Sequence, residues 1–456
     1  MTATESTTGW IHAGRVCVAI GWCLAAAWIA AARVPESKLR VGAAAVELTA
    51  DDSMVIGGSI HPGRAQGQEG KLRAVAIVLE KPQGTRLALV ACDVLMLTRD
   101  LLDPVVEEVE KTAGIPAAHI LIHATHTHHA PSTVTVHGYQ RDEVFCRRVQ
   151  RAIVQAVNQA VVRLDEADLY FALGQEASVG QNSRLLLADG TIYWFGPRDD
   201  AVRPTGPFDP ELPVIAFRKK GRWDALIFNH STHTIGTRKP GVRSPSFYGL
   251  AAQELEAELG ATVCFLAGAS GSTHNLTVPC AEAVQRIQQA VREALAEARP
   301  MPVPRLAARK ERFAFRVRHF DEAKEDAAVT AYCRKRVPQA ADGIIEVFRR
   351  QRRILAPQQG AERQTWIQVL LLGDIAVAGV PAEFFTKLGL HIKRRSPYRY
   401  TYVAELANDW IGYLPDRQAF DLGGYQTWTG LHSYAEPGTG ERVVESVVRM
   451  LEQLAH

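Results

Sequence analysis

The sequence lacks the cysteine and glycine patterns that mark several common metal and nucleotide sites. Its seven cysteines include no Cys-x-x-Cys pair and suggest no even-numbered disulfide framework. Buried free thiols are the interpretation that their wide spacing favours, and a disulfide between two of them stays open. Gly70 and Lys71 do not belong to a phosphate-binding loop, because Ala65 and Leu72 occupy required positions of that motif.

The chain also has little net charge. A formal charge of +3 over 456 residues, with arginines scattered among acidic residues, gives no reason to expect a nucleic-acid partner. The composition is 47% hydrophobic and 22% charged, which is typical of a globular protein with a substantial core. The sequence shows no internal repeats and no long low-complexity tract.

One long uncharged run does occur, close to the N-terminus. Residues 16–32 are apolar and lie between Arg15 and Arg33, at the lower limit of length for a membrane span. The preceding basic residue and the small residues 30–32 are typical of a secretory signal peptide. A signal anchor is the alternative, and a buried core helix is the third interpretation. We expect residues 1–36 to be a signal peptide or membrane anchor, so that the protein is exported or membrane-anchored.

From residue 39 onwards, strand-like and helix-like segments alternate. Residues 73–79 and 86–93 predict two strands joined by a turn, and residues 101–112 and 144–164 predict amphipathic helices. The mixture of hairpins and strand–helix units predicts an α/β fold with mixed β-sheets flanked by helices. We expect a single domain over residues 37–456, with a sub-domain linker at 299–305 as its one candidate division.

The most informative stretch is His-Ala-Thr-His-Thr-His-His-Ala-Pro at 123–131. It holds four histidines within seven residues and follows a short apolar run, which predicts a strand that ends in a loop. Imidazole is the commonest protein ligand for zinc, so the stretch indicates a metal site. The alternatives are a polar loop or histidines satisfied by hydrogen bonds. The spacing is neither that of a zinc finger nor that of a His-Glu-x-x-His helix, so further ligands must come from elsewhere.

Three other polar clusters also follow apolar, strand-like runs. His230 and His233 follow one such run, and the alternative to a metal site there is a hydrogen-bonded turn. Ser270 lies in a Gly-rich turn and could be a nucleophile, or the glycines could simply let the backbone approach the site closely. Glu383 lies in Pro-Ala-Glu after a further strand, at the expected start of a helix over 383–393, where it could bind a metal, act as a base or favour the helix N-terminus.

Taken in order, these clusters resemble the catalytic domain of the neutral/alkaline, non-lysosomal ceramidase family. The family's Thr-His-Thr-His-Ser-Gly-Pro is similar to residues 125–131, and its Asn-Phe-Ala-x-His is similar to residues 229–233. Its Pro-x-Glu after a Gly-Asp hairpin matches residues 381–383. Its Asn-x-Tyr-x-x-Tyr matches residues 408–413, with the further tyrosine at Tyr425. The resemblance covers residue 39 to the C-terminus, without room for the family's C-terminal β-sandwich domain.

The resemblance implies one catalytic zinc ion held by two histidines, a glutamate and a tyrosine. Carried over to this sequence, the ligands are His126, His233, Glu383 and Tyr413. His128 matches the family histidine that supports the oxyanion or moves a proton. His123 and His129 then become scaffold residues, and Asp93 becomes a candidate partner for a ligand ring.

Two positions depart from the family. His274 stands where the family has its proposed nucleophilic serine, and Arg184 reaches the position of the family's active-site arginine only after a one-residue shift. We therefore take His128, His274 and Arg184 as the candidate catalytic residues.

The resemblance implies a zinc-dependent hydrolase that cleaves an amide of an N-acyl lipid, or a related amide, by means of a zinc-bound water. The alternatives are a serine hydrolase that uses Ser270, or a noncatalytic relative that binds zinc or lipid. The expected partner is a small-molecule or lipid amide, with association at a membrane surface. No nucleic-acid or protein partner is implied.

Overall fold

Residues 39–82 and 84–455 are the part of the chain that the computed structural model describes. The expected signal peptide or anchor lies outside this part, as do Cys17 and Cys23. Within it, every cysteine is a buried free thiol, as predicted. No described helix combines the length and the apolar character that crossing a membrane would need.

The strands of the described chain alternate with its helices. The strands that start before residue 170 are β1 (Arg40–Glu47), β2 (Val55–Ile56), β3 (Gly63–Arg64), β4 (Arg73–Glu80), β5 (Arg86–Cys92), β6 (Ile120–Ala124), β7 (Asp165–Glu166) and β8 (Asp168–Gln175). The middle of the chain forms β9 (Gln181–Asn182), β10 (Leu185–Leu187), β11 (Ala201–Pro204), β12 (Glu211–Lys219), β13 (Arg222–His230), β14 (Thr262–Ala267), β15 (Thr273–His274) and β16 (Arg299–Pro300). The last strands are β17 (Leu306–Arg316), β18 (Glu362–Leu372), β19 (Ile375–Gly379), β20 (Glu383–Phe384), β21 (Tyr400–Ala404) and β22 (Tyr413–Leu414).

The helices lie between these strands. They are α1 (Arg99–Ala113), α2 (Glu143–Val162), α3 (Ser246–Leu259), α4 (Cys280–Glu297), α5 (Glu322–Arg336), α6 (Ala341–Leu355), α7 (Thr386–Arg395), α8 (Arg417–Leu422) and α9 (Thr439–Ala455). Local signals set several of their ends. The side chain of Asp142 accepts a hydrogen bond from the backbone N–H of Phe145 and so caps α2. Helix α1 stops at Gly114, which adopts the left-handed conformation that glycine accepts most readily.

The structure repeats one arrangement three times, although the sequence shows no repeat. The three large sheets contain the strand orders β6-β5-β4-β1, β14-β13-β12-β8 and β21-β19-β18-β17. In each sheet the first three strands along the chain pair antiparallel, and the last pair is parallel, with a helix between its two strands. A second helix follows each sheet's last strand and packs against the first two strands.

The inner faces of the three sheets share one core, and helix pairs cover the outer faces. Strand β4 shows how the sequence permits this. Its Val75, Ile77 and Leu79 point into the shared core, whereas Ala74, Ala76 and Val78 contact the helices α1 and α2 and their neighbours. A strand that is buried on both faces needs apolar residues at every position, which explains the continuous apolar run. All described residues belong to one compact unit, and within it residues 299–305 comprise β16 and the connection to β17.

The predicted start of one helix is wrong, and the difference affects the candidate site. Helix α7 begins at Thr386, not at residue 383, because Glu383 and Phe384 form the short strand β20. The backbone N–H of Glu383 donates to Gly412, and β20 pairs in parallel with β22. These hydrogen-bond partners lie about thirty residues away in the sequence, so local signals could not reveal them.

Gly42 provides a test of the contact between β1 and α2. A Cβ atom added to Gly42 would lie 1.9 Å from the carbonyl oxygen of Ala160 on α2, so the backbones must separate to admit it. We expect Gly42→Ala to lower the free energy of unfolding by about 1–3 kcal/mol or more. Gly63→Ala is the matched control, because a Cβ at Gly63 meets nothing within 4 Å. Urea unfolding measures both, and equal midpoints would contradict the packing described.

Candidate metal centre

The candidate centre lies where the three sheets bring the carboxyl ends of their parallel strands together. His126 follows β6, His233 follows β13, and Glu383 follows β19, so each sheet supplies one side chain. Tyr413 is the residue directly paired with Glu383 between β20 and β22. The fold therefore brings together four residues that are separated by up to 287 positions in the sequence.

The donor atoms of these four residues converge. The Nε2 atoms of His126 and His233 lie 3.5 Å and 3.4 Å from Oε2 of Glu383. The hydroxyl oxygen of Tyr413 lies 3.1 Å from Nε2 of His233. All four side chains are buried. The sequence predicted this set by resemblance alone, and the structure places its members within reach of one cation.

His128 belongs to the same cluster. Its Nε2 lies 3.3 Å from Nε2 of His126, and ligand atoms of His126, His128 and His233 all lie within 4.8 Å of one another. His128 is only half-buried, in contrast to the other two imidazoles. It is therefore the member of the cluster through which an approaching molecule could contact the centre.

The hydrogen bonds of the three imidazoles determine where their protons lie. Each ring places its Nδ1 against a backbone carbonyl oxygen, which can only accept a hydrogen bond. The oxygens belong to Leu95 for His126 (2.9 Å), Gly58 for His128 (3.0 Å) and Ser270 for His233 (2.8 Å). Each Nδ1 therefore carries a proton. The three Nε2 atoms lie close to one another, and those of His126 and His233 also face the Glu383 carboxylate. A cation at this point would relieve the repulsion among these acceptors.

The geometry fits a zinc ion. Tetrahedral zinc with bonds of about 2.0–2.1 Å to nitrogen and oxygen places neighbouring ligand atoms about 3.3–3.4 Å apart. Within the predicted ligand set, the separations are 3.5 Å and 3.4 Å around Glu383 Oε2 and 3.1 Å between the Tyr413 hydroxyl oxygen and His233 Nε2. Imidazole nitrogen and carboxylate oxygen are common zinc donors, whereas magnesium and calcium prefer sites built only from oxygen.

Glu383 is held in its ionised form. Burial raises the pKa of its carboxyl group, but positive charge carried by the facing His126 and His233 rings, with the hydrogen bonds they then donate, outweighs burial and leaves the pKa well below its usual range. The second carboxylate oxygen, Oε1, accepts a hydrogen bond of 3.1 Å from Nε1 of Trp410. Both oxygens thus have defined partners, which fixes the orientation of Oε2 toward the imidazoles.

Tyr413 is neutral in this arrangement. Burial raises the pKa of its phenol well above the usual range, and the negative charge of Glu383 raises it further. A cation at the donor atoms would lower this pKa, since it stabilises the phenolate form.

The loops that carry the ligands have unusual backbone features. His126 has a φ of 65°, in the left-handed region that non-glycine residues rarely adopt. Gly271 lies directly behind Glu383, and a Cβ at this position would come within 2.4 Å of the Glu383 carbonyl oxygen. The glycine-rich turn around Ser270 therefore allows close backbone approach, which was one of the two interpretations of that motif.

His274 lies beside the cluster and not within it. Its ring stacks on His233, with 4.1 Å between ring centroids and 19° between ring planes. Burial lowers the pKa of His274 well below its usual range. The neutral ring packs against a candidate ligand, so this structure gives His274 a supporting contact with the centre.

Arg184 does not contact the predicted ligands. Its guanidinium group donates to Oε1 of Gln426 at 2.8 Å and to the carbonyl oxygens of Gly423 and Ala419 at 2.6 Å and 3.2 Å. Burial lowers its pKa to about 10. These bonds stabilise the segment that carries Tyr425, and the prediction of a catalytic Arg184 finds no supporting contact here.

Several partners of the ligands were not foreseen. The prediction that Asp93 supports a ligand ring is wrong, because its carboxylate accepts from the Thr125 hydroxyl and the Arg73 backbone N–H. Backbone carbonyl oxygens take that role, and no side-chain motif could have indicated them. Trp410, which holds Glu383, lies inside the 408–413 segment that the sequence did single out.

Comparison with known proteins identifies the fold of this chain. No family model matches the chain, and no curated protein matches it. Solved structures do match, among them the neutral ceramidase from Pseudomonas aeruginosa, at a TM-score of 0.70 and 18% identity over 92% of this chain and 74% of that one. A structure of ceramidase complexed with C2 matches at the same TM-score and identity, with 75% of its chain covered. The chain has a neutral ceramidase-like fold. The predicted α/β architecture is thereby confirmed.

Metal content tests the centre directly. We expect the purified protein to bind one zinc ion per chain, and His126→Ala to weaken zinc binding at least about 100-fold, because a ligand atom is lost. His391→Ala, on α7 and outside the cluster, is the control and should leave zinc binding unchanged. Equilibrium dialysis followed by elemental analysis measures both. Equal zinc content in His126→Ala and the unaltered protein would contradict the assignment.

Proposed function

We propose that this protein is a zinc-dependent hydrolase that cleaves the amide bond of an N-acyl lipid or a related amide. The observation that carries the proposal is the convergence of donor atoms: the Nε2 atoms of His126 and His233 lie 3.5 Å and 3.4 Å from Oε2 of Glu383, and Nε2 of His128 lies 3.3 Å from that of His126. The shared fold supports the choice of reaction, since the matched structures are named as ceramidases, enzymes that act on a lipid amide.

In this proposal His126, His233, Glu383 and Tyr413 hold the zinc ion. When bound, zinc supplies Lewis acidity, which lowers the pKa of a water molecule and polarises the scissile carbonyl group. The protein's part is to present these donors in a fixed geometry. The carbonyl oxygens behind the rings and Trp410 behind Glu383 keep each donor atom directed at one point.

In this proposal His128 accepts and returns the proton that moves during hydrolysis. Burial lowers the pKa of His128 well below its usual range, so the ring is neutral. Its Nδ1 proton is engaged by the carbonyl oxygen of Gly58, which leaves the Nε2 lone pair free on the centre's exposed side. In this position Nε2 can accept the proton of the attacking water and return it to the departing amine.

The surroundings of Ser270 weigh against a serine nucleophile. The hydroxyl group donates to a carboxylate oxygen of Glu405, and the residue is 1% exposed. The nearest imidazole nitrogen is Nδ1 of His233, 3.5 Å from the hydroxyl oxygen. That nitrogen carries a proton, which it donates to the Ser270 carbonyl oxygen, so it cannot act as the base that a serine mechanism requires.

Amide hydrolysis by the loaded protein tests the proposal. We expect hydrolysis of short-chain fluorescent ceramides by the zinc-loaded protein, complete loss in a zinc chelator, and recovery when zinc is restored. His126→Ala should lack activity, with His391→Ala as the active control. Activity that persists without metal would refute the zinc mechanism. Stoichiometric zinc without turnover of any amide or ester would instead favour a noncatalytic zinc- or lipid-binding protein.

Ser270→Ala separates the zinc and serine mechanisms. Under the zinc mechanism this variant keeps both backbone hydrogen bonds of Ser270, so we expect kcat within about tenfold of the unaltered protein. A serine nucleophile predicts a loss of about 10³-fold or more with zinc content unchanged. Steady-state kinetics on the same fluorescent amide, together with zinc analysis, distinguishes these results.

A further inference from the structure

A second buried carboxylate lies close to the proposed centre and was not singled out by the sequence. Glu405 directly follows β21, and its side chain is fully buried. It accepts three hydrogen bonds. Oε1 accepts from the hydroxyl of Ser270, while Oε2 accepts from the backbone N–H groups of Ser270 at 3.0 Å and Phe384 at 2.9 Å. A carboxylate that only accepts is matched to its ionised form.

These partners are adjacent to two of the proposed zinc ligands. Phe384 is the residue after Glu383, so its N–H fixes the backbone that carries the ligand carboxylate. Ser270 supplies the carbonyl oxygen that accepts from Nδ1 of His233 and orients that imidazole. One carboxylate from the third sheet therefore joins the loop of Glu383 to the turn that positions His233.

The charges around Glu405 also link this residue to a bound cation. Among the described residues, neither Glu405 nor Glu383 forms a salt bridge with a lysine or arginine; Glu383 faces the imidazoles of His126 and His233. Burial raises the pKa of Glu405 to about 7, while the hydrogen bonds from Ser270 and Phe384 lower it. Two buried carboxylates without a basic partner are costly, and one divalent cation would balance both.

We propose that Glu405 is a positioning residue of the metal centre: by fixing the Ser270 turn and the Glu383 loop, it sets the affinity for zinc. This inference rests on the proposed function, since it assumes that His126, His233, Glu383 and Tyr413 bind zinc. Glu405 touches neither the ion nor the substrate, so it acts through the ligands' orientation and through its charge.

The test uses the full chain and the variants Glu405→Gln and Ser270→Ala. Glutamine keeps the size of the side chain but removes the charge and places a donor where an acceptor is needed. We expect Glu405→Gln to weaken zinc binding about 10–100-fold, measured by competition with a chromophoric chelator. Ser270→Ala removes only the hydroxyl contact and should produce a smaller weakening in the same direction. The two variants together still give an answer if Glu405→Gln folds poorly.

Glu176→Gln is the matched control. Glu176 is also a buried carboxylate that accepts from a serine hydroxyl, that of Ser178, and from backbone N–H groups including that of Val179. Those contacts stay within its own turn, so this variant should lose stability without losing zinc affinity. Thermal unfolding of metal-free and zinc-loaded samples adds a second measurement. The shift in Tm on adding zinc should shrink in Glu405→Gln and stay unchanged in Glu176→Gln.

The outcomes separate this inference from the proposed function. If the unaltered protein binds no zinc, the proposed function is refuted and this inference with it. If the unaltered protein binds zinc, and Glu405→Gln and Ser270→Ala bind it equally tightly, the positioning role alone is refuted. A Glu405→Gln variant that is merely less stable, with unchanged zinc affinity, would also overturn the positioning role.

Discussion

The structure depends on a buried cluster of mutually repelling acceptor atoms at its centre. Three imidazoles place their Nε2 atoms close to one another, two of them also face the Glu383 carboxylate, and Glu405 adds a second buried carboxylate nearby. Such a group of acceptors is unstable in an apolar interior unless a cation balances it. The protein holds it because backbone carbonyl oxygens fix the Nδ1 proton of each ring. The neutral ceramidase-like fold is thus organised around a cluster of donor atoms that lie close enough to hold a metal ion.

The threefold repetition of strands and helices explains how such distant residues meet. Each sheet ends in a parallel strand pair, and the loops after parallel strands emerge at the same edge. Because the three sheets share one core, their loop-bearing edges face a common point. Each sheet supplies one candidate ligand, so none of them forms the candidate centre alone. The repetition is invisible in the sequence, since a buried strand or an amphipathic helix constrains the hydrophobic pattern far more than it constrains residue identity.

Prediction from the sequence worked best where the signal was local. The apolar run before His126 and the periodicity of residues 144–164 gave strand β6 and helix α2 nearly at their observed bounds. It failed where long-range contacts override local preference. Pro381 and Glu383 look like the start of a helix, but pairing with β22 makes Glu383 part of a strand. For Arg184, the structure shows hydrogen bonds to the segment before Tyr425, and its predicted catalytic role stays a prediction.

The sequence by itself determined the chemistry of the donors. Four polar clusters behind apolar strands, matched in order to a known family, were enough to name His126, His233, Glu383 and Tyr413. Only the tertiary structure decided how these donors are oriented, because that depends on backbone carbonyl oxygens and on a carboxylate from another sheet. Every residue has a carbonyl group, so its use as a partner leaves no mark in the sequence. Glu405 is likewise one acidic residue among many until the fold places it between the loops of two ligands.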